Sequence, residues 1–356
     1  MARKMTVKLW GKGVYEKLEA GSTNTQYFIR HANQFIYSKL DFLNCAFGVV
    51  PEELESLETT ADVPAFDCVY MNPYFMFYRA IQPSFYIQNG IIANGSRKAK
   101  RIHTDTFLEM PISVPCLTEQ NKIVGYFQSL DHLITLHQRK CDETKKMKKF
   151  MLQKMFPQDG KKVPEIRFKG FTEDWEQRKF SELYEKNVEK NTELIGYDKT
   201  ISIATMTYKN EGNGASDESL KTYKVLRTGD LAFEGHTNKD FRYGRFVAND
   251  IGTGIMSPRF STLRPVKDMP VSFWKYYIHY EPIMRSVLVN STKAGTMMNE
   301  LVVADFMKQS IRVPSIGEQE KIGDYFSTLD HLITLHQHKQ NTPKNSTKSY
   351  KIYILT

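Results

Sequence analysis

Apolar and polar positions along the chain fall into a rhythm that occurs twice. In the first copy, apolar or seam residues recur at Ile123, Phe127, Leu130, Ile134, His137 and Cys141. In the second they recur at Ile322, Phe326, Leu329, Ile333 and His336. Steps of four and three put one stripe along a helix and are the heptad signature of a coiled coil. The match goes beyond pattern, because LDHLITLHQ stands at 130–138 and again at 329–337. Aligning Asp131 with Asp330 extends the repeat over Phe107–Lys140 and Phe306–Lys339. Each copy reads as a short Ile-x-Val-Pro strand, a Glu-Gln pair and a long helix. Pro115 and Pro314 precede the helices, where proline ends a strand without disturbing a helix. The first helical pattern continues through CDETKKMKKFMLQKMF to about Phe156. Some 39 residues at ~1.5 Å each span roughly 58 Å.

A helix of that length cannot bury its stripe against one compact domain of ordinary size, whereas two copies can bury theirs against each other. The pattern predicts an antiparallel coiled coil in which Ile123, Phe127, Leu130 and Ile134 touch Ile322, Phe326, Leu329 and Ile333, with a pseudo-two-fold axis between the halves. Two unrelated amphipathic helices would leave the identity at Asp131, His132, Thr135, His137 and Gln138 without a cause.

A mixed α/β pattern precedes each helix. From about 164 to 311 it runs through PEIRFKGFTEDWE, strands such as KTISIATM and GDLAFEG, the helical SFWKYYIHYEPIMRSVLV and the loop NSTKAGTMMNEL. Residues 27–53 and 223–250 share the order strand, turn, strand, polar loop, glycine, strand. The predicted organisation is a first domain at 1–114, a helix at 115–160, a second domain at 161–313, a shorter helix at 314–340 and an irregular tail at 341–356. Proline in a helix interior costs about 3 kcal/mol or more, so Pro343 predicts an end near Gln340.

Charge narrows the partners. The net charge is +9 and the pI about 9.1, which suits an acidic partner such as nucleic acid. Cys45, Cys68, Cys116 and Cys141 form no CxxC pair, and read as reduced thiols in a cytoplasmic protein without zinc or disulfides. No stretch has the length of a membrane span or the apolar core of a signal peptide.

Several marks together resemble the specificity subunits of type I restriction–modification systems. They are the PEIRFKGFTEDWE opening, the loop Ser291–Thr296, the Asp305-Phe306 pair, the run VPSIGEQEKI at 313–322 and the STLDHLI segment after it. The resemblance covers most of the chain, and the doubled Glu-Gln-x-Lys-Ile…Leu-Asp block is its specific part. It implies two tandem target-recognition domains, each reading half of a split double-stranded DNA sequence, with two helices paired as an antiparallel coiled coil. It implies a non-catalytic subunit that holds two methyltransferase subunits and recruits restriction subunits. S-adenosylmethionine, ATP and magnesium would belong to those partners, with no cofactor or metal in this chain. The first half lacks the PEIRFKGFTEDWE opening, and the KKFMLQ continuation has no counterpart after Lys339. Both departures read as truncation or alteration of the family pattern.

The candidate DNA-contacting residues are Arg97, Lys98, Lys100 and Arg101 on the loop NGSRKAKR, and Lys39 and Asn44 on the polar stretch of the first domain. In the second domain they are Asn238, Lys239, Arg242 and Arg245, with Thr292, Lys293 and Thr296 on the small-residue loop. Clustered cations suit phosphates; arginine and asparagine can read guanine and adenine; small hydroxyl residues allow close backbone approach. A solvated surface loop or ordinary turn chemistry is the competing reading for each. His132 and His137 lie five apart, a poor spacing for one helix face, and read as packing rather than metal ligands. Asn72-Pro73-Tyr74-Phe75 resembles the Asn-Pro-Pro-Tyr motif of adenine methyltransferases, but no glycine-rich methyl-donor loop precedes it. A stand-alone methyltransferase or nuclease is therefore disfavoured; a degenerate remnant that only pairs helices stays open.

Overall fold

The computed structural model of the chain describes residues 3–18, 24–91, 101–158, 160–209 and 216–355, with side chains as far as Lys339 except that of Asp217. They form two compact units, Met1–Gln138 with His338–Thr356 and Arg139–Gln337. None of the described helices is long and apolar enough to cross a membrane.

The first unit opens with β1 (Lys4–Val7), β2 (Val14–Lys17), β3 (Tyr27–Ile29), β4 (Phe35–Tyr37), β5 (Phe47–Val49), β6 (Glu58–Thr60) and β7 (Ala65–Phe66). Helices α1 (Pro73–Ala80), α2 (Pro83–Gly90) and α3 (Thr104–Leu108) follow, then α4 (Leu117–Met155). The strands make two small sheets, ordered β2-β1-β6-β3 and β5-β4-β7. Phe35, Tyr37, Phe42, Phe47 and Phe107 close over the second sheet as an aromatic core. Asn72 starts α1: its side chain accepts from the Tyr74 amide (2.9 Å) and the Phe75 amide, and Pro73 sits in the first turn. The Asn-Pro pair is thus a helix cap.

The second domain contains β8 (Glu176–Lys179), α5 (Phe180–Leu183), β9 (Tyr184–Lys186), β10 (Ile201–Ser202), β11 (Thr207–Tyr208), α6 (Asp217–Leu220) and β12 (Lys224–Leu226). It continues with β13 (Leu231–Glu234), β14 (Arg245–Ala248), β15 (Gly254–Met256), β16 (Ser261–Pro265), α7 (Val271–Tyr277) and α8 (Glu281–Val289). It ends with β17 (Thr292–Lys293), β18 (Glu300–Leu301), α9 (Val303–Lys308), β19 (Ser310–Val313) and α10 (Ile316–Leu355). Its main sheet is ordered β14-β13-β16-β9, with Trp175, Tyr184, Phe273, Trp274 and Tyr277 in the core beneath it. The order β5-β4-β7 repeats as β14-β13-β16, which is the tandem duplication seen in the sequence rhythm.

Two expectations change here. Ile112–Val114 is not a strand, whereas its counterpart β19 pairs antiparallel with β8, Ser310 opposite Lys179. A strand needs a ladder partner for its backbone groups, and no described strand of the first domain occupies the β8 position. The α10 backbone also runs to Leu355, past Pro343, where an end near Gln340 and an irregular tail were predicted. A proline removes one donor and bends a helix, but turns on either side can persist.

The doubled block fastens each helix to its own domain. Gln120 donates to the Pro115 carbonyl (2.8 Å) and accepts from the Asn72 amide (2.9 Å). Gln319 donates to the Pro314 carbonyl (2.9 Å) and accepts from the Trp274 indole (3.1 Å). Tyr78 donates to Asp131 (2.8 Å), and Tyr276 donates to Asp330 (2.6 Å). Phe127 packs on Phe75 and Tyr78, with Ile123 and Leu130 beside them. Ile322, Phe326 and Leu329 lie in the core of the second domain. Within each unit these residues cover an aromatic face of their own domain, which removes their apolar surface from water.

The two helices also pack together. In the second unit the distal part of α4 lies along α10: the Cys141 thiol meets the Ile333 carbonyl, Lys148 meets Asp330 (2.5 Å), and the Phe156 ring stands 5.7 Å from that of Phe326. The α10 numbers fall as the α4 numbers rise, so the helices run antiparallel.

Candidate DNA interface

The exposed polar loop between β13 and β14 is carried on a rigid base. Arg264 of β16 forks onto Asp230 with bonds of 3.1 and 2.8 Å, and Asp230 is buried at the foot of β13. Glu189 bridges Arg264 and Arg227, and these hydrogen bonds hold its carboxyl below the usual range. The strands that present the loop are thus tied together by charge-assisted bonds.

Within the loop the backbone is shaped locally. Asn238 accepts from the amides of Asp240 (2.9 Å) and Phe241 (3.0 Å), an Asx turn. Gly244 returns the chain at φ +87, where a Cβ would meet the Glu234 carbonyl at 2.7 Å. From below, the His279 ring stands 4.9 Å from Phe241 and donates to the Phe246 carbonyl (3.0 Å). Burial holds the His279 imidazole below its ordinary pKa.

The β17–β18 hairpin lies against this loop. The Asn299 amide donates to the Gly235 carbonyl (2.9 Å), and a Cβ on Gly235 would fall 1.8 Å from the Asn299 carbonyl oxygen. Only glycine permits that approach.

The candidate residues divide by what already holds them. Arg245 is paired with Glu234 (2.6 Å) and Lys293 with Glu300 (3.2 Å). The Thr292 hydroxyl donates to the Leu288 carbonyl, closing a helix end. Asn238 shapes its own turn. Lys239, Arg242 and Thr296 stand exposed, with no ion pair at Lys239 or Arg242 among the described residues. In the first domain Asn44 donates to Asp41 (3.1 Å), an ordinary turn contact, and Arg101 lies 3.7 Å from Asp62. Lys39 is half-buried, and its backbone pairs with Asp62 and Ile102. Arg97, Lys98 and Lys100 lie outside the described residues.

Sequence reading missed Arg259 and Lys209. Arg259 stacks over Phe260 at 4.6 Å and borders clefts of about 410 and 450 Å³; Lys209 and His236 border the second. A single basic residue in a turn offers no local pattern to single it out.

Comparison with known proteins places this arrangement. Residues 247–343, which include the β17–β18 hairpin and the start of α10, match the family model for the type I restriction modification DNA specificity domain. No curated protein matches the sequence. The type I restriction–modification S subunit from M. genitalium is similar in structure with a TM-score of 0.57 at 12% identity, over 99% of this chain and 96% of that one. The HsdS subunit from Thermoanaerobacter tengcongensis has a TM-score of 0.49 at 16% identity, over 99% of this chain and 92% of that one. The M. genitalium likeness is one of fold, two α/β domains each followed by a long helix. Residues 247–343 thus match the type I restriction modification DNA specificity domain, and the chain shares the fold of the S subunit from M. genitalium.

Proposed function

We propose that each domain reads one half of a bipartite double-stranded DNA target, with the paired helices setting the spacer between the halves. The chain scaffolds two methyltransferase subunits and the restriction subunits, which supply the chemistry that uses S-adenosylmethionine, ATP and magnesium. The observation that carries this reading is the grouping of the unpaired cations Lys239 and Arg242 on the β13–β14 loop, beside a hairpin tip bearing Thr296. A cation without a carboxylate partner is available to phosphate or to a base edge. Arg97, Lys98, Lys100 and Arg101 serve the same purpose in the first domain, and Lys39 and Asn44 flank its corresponding loop.

The test is a binding selection on randomised duplex DNA with the methyltransferase partner present, comparing wild type with a Lys239→Ala, Arg242→Ala double variant. The variant should lose selection at one half-site and keep the spacer. Its affinity for all DNA should depend less on salt, by about one unit of slope per phosphate contact removed. Identical selection at both half-sites would refute the assignment of this loop. No selection by wild type at either half-site would favour a helix-pairing remnant.

A further inference from the structure

We infer that Arg259 is a base-reading residue of the second domain, selecting one guanine in the major groove. The inference rests on the proposed DNA-reading role of this domain and names a contact that its loop pattern does not contain.

The argument begins with charge. Two carboxylates face the clefts on either side of Arg259: Glu300 in one and Glu234 in the other. Each already has its own cation, Lys293 for Glu300 at 3.2 Å and Arg245 for Glu234 at 2.6 Å. Two of the cations singled out by sequence therefore neutralise acids that would repel a phosphate backbone. Arg259 is exposed and has no ion pair or side-chain hydrogen bond among the described residues. Its charge is left uncompensated between two clefts, with His236 and Lys209 across one and Thr296 across the other.

Geometry adds direction. Arg259 sits in the turn from β15 to β16, closed by the Phe260 amide donating to the Ser257 carbonyl (3.2 Å). β15 pairs with β12, and β16 pairs with β13 and β9, so the turn is anchored on two sheets. The guanidinium lies over the Phe260 ring at 4.6 Å, and that ring is itself buried. Stacking holds the planar fork in one orientation before any ligand arrives. A pre-oriented fork with free donors matches the paired acceptors O6 and N7 of guanine, whereas a phosphate contact needs only a charge.

That difference sets the experiment. Binding selections on randomised duplex DNA are run for wild type, Arg259→Lys and Arg259→Ala, each as full chain with the methyltransferase partner. Lysine keeps the charge and loses the fork. Arg259→Lys should retain the salt slope of wild type and lose preference for guanine at one position by roughly 5- to 150-fold. Arg259→Ala should lose the same preference and a further part of its affinity for all sequences. Arg259 is exposed, so both variants should keep the wild-type melting temperature. If Arg259→Lys selects the same bases as wild type, Arg259 contacts phosphate or nothing and the inference falls alone. If wild type and the Lys239/Arg242 variant select the same bases at both half-sites, or wild type selects none, the reading of the whole domain falls with it.

Discussion

The buried ion pair between Arg167 and Glu318 should be costly to break from one side. Arg167 belongs to the PEIRFKGF opening and Glu318 to the Glu-Gln pair at the start of α10. The guanidinium donates twice to the carboxylate, at 2.7 and 2.8 Å, and once to the Glu173 carbonyl at 2.6 Å. The Glu318 side chain is 0% exposed and that of Arg167 15%. Replacing Arg167 with alanine leaves a buried carboxylate without its cation. Breaking such a pair costs about 3–5 kcal/mol, several times the ~0–1 kcal/mol of a surface pair. An apolar pair of similar volume, Arg167→Met with Glu318→Leu, removes both charges and should return to within ~1–2 kcal/mol of wild type. The assay is urea unfolding followed by tryptophan fluorescence. Trp175 and Trp274 are buried in the second domain and Trp10 is exposed in the first, so the signal reports mainly the second. With a slope of about 2 kcal/mol per molar urea, the alanine variant should lose roughly 1.5–2.5 M in midpoint. A loss below ~0.5 M, or a double variant as unstable as the single one, would refute the claim that an uncompensated charge sets the cost.

Two further outcomes follow from the site. Gly235→Ala should displace the β17–β18 hairpin, because its Cβ would overlap the Asn299 carbonyl; half-site selection by the second domain should be lost while the first half-site persists, and retained selection would place the hairpin outside the interface. Burial holds the His279 imidazole below its ordinary value, so the unfolded chain takes up a proton before the folded one; stability should be constant above pH ~6.5 and fall as pH drops below it, and His279→Gln should flatten that dependence in pH-resolved unfolding.

The doubled LDHLITLHQ, the steps of four and three and the tandem strand order were legible without coordinates, because periodicity and internal repetition are properties of the chain itself. They determined two domains and two long helices, and they carry the resemblance to a family. What the repeat is for was decided only by tertiary structure. A stripe shows that a helix has an apolar face and not which surface covers it, and here Tyr78 and Tyr276 draw Asp131 and Asp330 onto each helix's own domain. Within the second unit the seam joins Cys141, Lys148 and Phe156 to Ile333, Asp330 and Phe326. The candidate DNA-contacting residues divide in the same way. Composition marked the basic loops, yet whether a cation is free depends on which carboxylate lies within reach. Arg245 and Lys293 found partners, and Arg259, far from them in sequence or hidden in a plain turn, did not. Pairing of charges is a matter of distances in space, which no local pattern in the chain encodes.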